Sequence, residues 1–109
     1  MVGGKQMSEK AYELVELAKR TGQIKKGTNE VTKALERGKA KAVIVAEDAS
    51  PKEIIMHIPL IAEEKQILCI KVPSKEELGV AAGMAVGTAS VAVLDEGEGK
   101  EQLEALKAE

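Results

Sequence analysis

Aromatic side chains are nearly missing from this 109-residue chain: Tyr12 stands alone, with no Phe and no Trp. Any core must be built from Val, Ile, Leu, Ala and Met, and stacking of nucleobases on aromatic platforms is excluded as a binding mode. A single cysteine, Cys69, excludes an intrachain disulfide and a paired-cysteine metal or redox site. Lying in an apolar run, it reads as a small buried hydrophobe. A single histidine, His57, leaves a zinc cage or a Ser-His triad without partners. No stretch approaches the ~20 apolar residues of a membrane span, and the N-terminus lacks a signal-peptide apolar core. A soluble, cytoplasmic protein without cofactor or metal is expected.

What is present suits one compact domain over 1–109: 44% of the residues are hydrophobic, enough to bury a core. About residues 1–7 read as a loose lead-in. Ser8 can cap a helix whose Ala11, Leu14, Val15 and Ala18 follow the 3.6 period, closed at Gly22. Gln23 to Lys26 is a short extended stretch. Thr28 is then the expected N-cap of a helix reaching about Arg37, with Gly38 as a left-handed C-cap. Lys41 to Ala46 is a continuous apolar run, the mark of a strand buried on both faces. Ser50 and Pro51 predict a helix start with Ile54, Ile55 and Ile58 inward and a break near His57, since Pro59 interrupts the ladder. Gln66 to Val72 predicts a second buried strand. Ser74 to Glu77 is a capping-box pattern opening a helix closed by Gly83, and Ser90 to Leu94 predicts a third strand. About 96–109 is an acidic segment with a short helix turning Leu103 and Leu106 inward. Strands alternating with helices predict an α/β fold, a three-layer α/β/α sandwich around a small mixed sheet.

Charge is uneven. The formal net charge is −2, but from Lys19 to Lys41 eight Lys or Arg face only Glu30 and Glu36, a local +6 against −8 elsewhere. That is how an electrostatic footprint for a polyanion is distributed. At its centre, Lys25 and Lys26 precede a helix start, whose unpaired N–H groups and partial positive charge suit a phosphate. Asn29, Lys33 and Arg37, spaced by four, share a polar face, while Val31, Ala34 and Leu35 point elsewhere. Glu30 has two readings. It is a first-turn helix stabiliser contributing about 0.3–1 kcal/mol beside a solvated lysine face, or it is a base reader. A carboxylate accepts from guanine N–H groups, an Asn amide both donates and accepts, and Lys or Arg donates to guanine O6/N7 or to phosphate. Regular A-form RNA hides those edges, so the target would be a kinked or non-canonical duplex. Met84-Ala85-Val86 is likewise open: a connection packed back on the core, or an apolar platform for a flipped-out nucleotide.

Several blocks carry a resemblance: Lys26-Gly27-Thr28-Asn29-Glu30-Val31-Thr32-Lys33, Ala46-Glu47-Asp48 with Pro51, His57-Ile58-Pro59-Leu60 with Glu63-Glu64-Lys65, Val72-Pro73-Ser74-Lys75 with Leu78-Gly79, and Ala89-Ser90-Val91. In order and spacing, from about Leu14 to Leu94, the chain resembles the archaeal large-subunit ribosomal protein seven-Ae family. The resemblance implies an α/β/α sandwich that binds kink-turn RNA without catalysis, a monomer when free. It also implies service in the large ribosomal subunit and, with other ribonucleoprotein proteins, in box C/D and H/ACA guide particles and RNase P. Its RNA targets would be rRNA, guide RNA and RNase P RNA. By position, Asn29, Glu30 and Lys33 would contact sheared G·A pairs, Gly27 would admit the backbone closely, and Lys26 and Arg37 would hold phosphates. Ile54, Lys75, Met84, Ala85 and Val86 would surround the extruded nucleotide.

The sequence departs from the pattern at Ala85, where archaeal members usually carry Glu, at Gly87, where Pro is frequent, and at Ser50, where eukaryotic relatives carry Glu. Three alternatives remain: a related ribosomal RNA-binding protein of the same fold with another target, a small enzyme using Glu30 and Lys33 as acid and base, and a protein-interaction scaffold using the exposed acidic helix 100–107. The second lacks a nucleophile or metal cage.

Overall fold

A computed structural model describes residues 4–108, with side chains from Ser8 onward. The chain folds as α1 (Gly4–Thr21), β1 (Gln23–Lys26), α2 (Thr28–Glu36), β2 (Ala42–Ala46), α3 (His57–Glu64), β3 (Leu68–Val72), α4 (Lys75–Ala81), β4 (Ser90–Asp95) and α5 (Lys100–Lys107). α1 begins four residues before Ser8, so Ser8 lies inside the helix instead of capping it, and Gly4 to Met7 are helical where a lead-in was expected. The rest of that lead-in falls outside the described residues.

The sheet order is β1-β4-β2-β3, with β4 antiparallel to both neighbours and β2 parallel to β3. β2 is buried throughout, as a continuous apolar run requires. Its alternation divides two cores. Ala42, Ile44 and Ala46 join Leu14, Val15, Leu78, Leu103 and Leu106 under α1, α4 and α5, while Val43 and Val45 join Val31, Leu35 and Ile58 under α2 and α3. The sandwich of helices on both faces of a mixed sheet is thus as expected.

Three expectations are corrected. The stretch 23–26 is a full edge strand, paired with β4. β3 starts at Leu68, forms the other edge and exposes Lys71, so the strand expected from Gln66 is shorter and only partly buried. Ser50 and Pro51 lead into a 3-10 turn, Lys52–Ile54, with no side-chain cap, and the α-helix begins at His57. Pro59 then sits in the first turn of α3, where its missing N–H costs little.

Caps elsewhere follow the sequence. Gly38 (φ 68°) closes α2, with its amide on the Leu35 carbonyl and the Lys39 amide on that of Ala34. Gly83 (φ 77°) closes α4 in the same way through Val80 and Gly79. Ser74 Oγ accepts from the Glu77 amide at 3.1 Å, one half of the capping box. The other half goes to Tyr12, whose hydroxyl accepts from the Ser74 amide at 3.2 Å, tying α1 to α4.

Candidate functional site

Because β1, β2 and β3 share one direction and β4 opposes it, the exits of three strands and the entrance of the fourth meet at one end of the sheet. Backbone bonds close this end: Gly27 N–H to Ser90 O (3.3 Å), Ala46 N–H to Ala89 O (2.9 Å) and Glu47 N–H to Val72 O (2.8 Å). Asp48 Oδ1 accepts from the Lys75 amide at 2.9 Å. The Lys75 carbonyl accepts from the Thr88 amide at 3.0 Å, stapling the loop before β4 onto α4. Gly79 makes that approach possible, since a Cβ there would collide with the Val86 carbonyl.

At the β1 exit, Gly27 is the N-cap of α2, with φ 91° and ψ 145° and no side-chain capping bond. This corrects the expectation for Thr28, which is already helical. The first-turn amides therefore meet no capping side-chain acceptor, and a Cβ on Gly27 would meet nothing within 4 Å. Donors and open space coincide. Asn29, Glu30 and Lys33 are all exposed. Neither Asn29 nor Glu30 makes a side-chain hydrogen bond among the described residues. Glu30 has only a loose ion pair at 4.0 Å with Lys33, both ends more than half exposed, which holds neither side chain firmly.

Arg37 stands apart. As the C-cap residue it lies eight residues from Asn29, about 12 Å along the axis. Together with Lys33 it lines a cleft of ≈ 280 Å³ that also takes in Gln23, Lys25, Glu30 and Lys39. Asn29 does not reach this cleft, so the shared polar face divides between the Asn29 end and a basic track along edge strand β1.

Across the rim the side chains are apolar. Ile54 is 39% exposed and Val86 68%, with Ala85 exposed between Val86 and Met84. Ile54 was expected inward with Ile55 and Ile58; the tighter 3-10 turn puts it on the surface. The loop divides: Met84 packs against the α1–α4 core, while Ala85 and Val86 do not. Lys75, half-buried, opens α4 beside them. Thus Lys26, Gly27, Asn29, Glu30, Ile54, Lys75 and the 84–86 loop all belong to segments that open at this one end. A larger cavity of ≈ 670 Å³, lined by Lys41, Gln66, Glu96 and Leu103, contains none of them.

Comparison with known proteins adds an independent line. The family model described as the Ribosomal protein L7Ae/L30e/S12e/Gadd45 family matches residues 9–103. The chain belongs to this family. Among solved structures it is similar to a protein described as the Giardia lamblia 15.5kD RNA binding protein, at 32% identity and a TM-score of 0.88, covering 94% of this chain and 86% of that one. The L7Ae-type fold expected from the sequence is the fold observed.

Within this family fold, some contributors were beyond sequence reasoning. Asp48 holds the start of α4, and Thr32 Oγ1 lies 2.8 Å from His57 Nε2, joining α2 to α3. Those pairs are 27 and 25 residues apart, and no local pattern announces either. Gln23 and Lys39 enter the basic cleft only because β1 pairs with β4 beside α2.

Proposed function

We propose that this family member is a non-catalytic RNA-binding protein that recognises kink-turns. Asn29 and Glu30 read the exposed edges of the sheared G·A pairs, Glu30 accepting from guanine N–H groups, and Lys33 donates to guanine O6/N7. Phosphates take the uncapped amides of α2 and the ammonium of Lys26, and the strand continues past Lys25 toward Arg37. The extruded nucleotide rests on Ile54, Val86 and the stem of Lys75, an apolar seat suited to a chain without aromatic stacking partners. Such a protein serves the large ribosomal subunit and guide or RNase P particles, monomeric when free and cytoplasmic.

One observation carries this reading: an amide and a carboxylate stand exposed and free of side-chain hydrogen bonds at a helix start without a side-chain cap, beside lysines. It is supported by the family and by the RNA-binding protein of similar structure. The test is binding to a kink-turn RNA and to a plain duplex of equal length across a salt series. A strong preference for the kinked RNA is expected. Glu30→Ala should erode the preference, whereas Lys26→Ala or Arg37→Ala should weaken both RNAs and lower the salt slope by about one. Equal affinity for the two RNAs overturns the reading.

A further inference from the structure

α2 carries the reading residues, and few directional side-chain contacts fix its rotation about its own axis. It is nine residues long and buries three apolar side chains, Val31, Ala34 and Leu35. Packing of these three sets which face of α2 is buried, and the last few degrees of roll are left to directional contacts on its flanks. Glu30 and Lys33 pair only with each other. The bond of Thr32 with His57 is the single hydrogen bond from an α2 side chain to another element among the described residues.

Its placement matters. On a 3.6-residue helix, Thr32 and Glu30 stand about 100° to either side of the buried Val31. Thr32 therefore meets α3, while Glu30 faces the cleft beside β1. A bond on one flank limits the rotation that moves the other. A roll of about 10° sweeps a side-chain tip about 5–6 Å from the axis through about 1 Å, enough to spoil a hydrogen bond to a base edge.

We propose that Thr32 and His57 are positioning residues of the RNA site: their hydrogen bond sets the roll of α2 and so the aim of Asn29 and Glu30. This rests on the kink-turn reading above. His57 sits at the first position of α3 and touches no reading residue in the hydrogen-bond network, so its effect on selectivity passes through α2.

The experiment compares Thr32→Val, which keeps the shape and removes the hydroxyl, with Thr32→Ser, which keeps the hydroxyl. Both are assayed against the kink-turn RNA and the equal-length duplex. Thr32→Val should lose on the order of tenfold in affinity for the kink-turn with duplex affinity unchanged, and Thr32→Ser should restore it. The double variant Thr32→Val with His57→Ala should be no worse than the more impaired single variant, because one bond is removed either way. A purely structural role would lower both affinities together. Should Thr32→Val fail to fold, His57→Ala against His57→Gln carries the same comparison. Where the wild type discriminates, unchanged selectivity in Thr32→Val, absence of rescue by Ser, or additive losses would overturn the proposal. Residual dipolar couplings of the α2 amides in RNA-free protein give a second readout. A reorientation of α2 in Thr32→Val supports the positioning role even if the wild type fails to discriminate RNAs, which would sink only the kink-turn reading. An unmoved α2 refutes it.

Discussion

Gly27→Ala isolates the cost of a backbone conformation. At φ 91° and ψ 145° Gly27 lies in a region that L-residues avoid, close to one that is essentially confined to glycine. A Cβ there would meet nothing within 4 Å, so no packing clash adds to the penalty. The expected loss is the strain alone, about 1–3 kcal/mol. For a domain of this size that lowers the melting temperature by very roughly 4–20 °C. Urea melts followed by circular dichroism should show a lower midpoint at unchanged slope, the sign that stability and not denatured-state compactness has changed. Gly38 supplies the control, since it too has open space around its missing Cβ but a φ of 68°. Asn tolerates that left-handed geometry, so Gly38→Asn should be mild beside Gly27→Ala. A loss under about 0.5 kcal/mol for Gly27→Ala, or an equal loss for Gly38→Asn, would refute the reasoning.

Two further outcomes concern titration. Lys41 Nζ donates to Glu96 Oε1 at 2.9 Å, and that bond holds the Glu96 carboxyl below its usual range and the Lys41 ammonium above its own. The stabilisation is fully present between the unfolded values of about 4.3 and 10.4. It is lost as pH falls through the folded Glu96 value or rises through the folded Lys41 value. Glu96→Gln should therefore unfold at lower urea than wild type at pH 7, with the gap closing in acid; a gap that persists there would assign the loss to packing. Burial, helped by the carboxylates of Glu77 and Asp48 against the Ser74 hydrogen bond, raises the Tyr12 phenol above its ordinary value. As the sole aromatic residue, Tyr12 gives the phenolate absorbance near 295 nm by itself. It should ionise at higher pH in native protein than in urea, its contribution to stability being lost as pH rises through the folded value; coincident curves would count against it.

The parts of the fold that were legible are those written locally. β2 shows as an unbroken apolar run, α4 as a serine three residues ahead of a glutamate, and two helix ends as glycines. β1 did not show as a sheet member, because an edge strand with one apolar residue in Gln23-Ile24-Lys25-Lys26 has no hydrophobic alternation to read. Ile54 was misplaced because three nearby isoleucines imitate a helical stripe, and a 3-10 turn of three residues rotates one of them out. The same division holds for the site. Asn29 and Glu30 are adjacent in sequence and flanked by lysines, so their surface was visible from the start. The long-range bonds around the site, Asp48 to Lys75 and Thr32 to His57, depend on the layers being stacked in one order, and only the assembled sheet reveals them.

The starts of α4 and α2 explain each other. α4 opens on a serine whose hydroxyl takes an amide, the ordinary solution for a helix end that has only to be stable. α2 opens on a glycine that takes none, and it is the start flanked by Lys25 and Lys26. Among residues without a capping side chain, glycine costs least there, a few tenths of a kcal/mol against a good cap, where alanine costs about 0.5–2. The chain thus keeps first-turn amides free of side-chain caps at small expense in stability. Glu30 offsets part of that expense, since a carboxylate in the first turn interacts favourably with the helix dipole by about 0.3–1 kcal/mol. The same carboxylate repels a phosphate that approaches the amides directly. On the reading proposed above, Glu30 is kept despite that repulsion because it accepts from a purine edge while the amides hold the neighbouring phosphate.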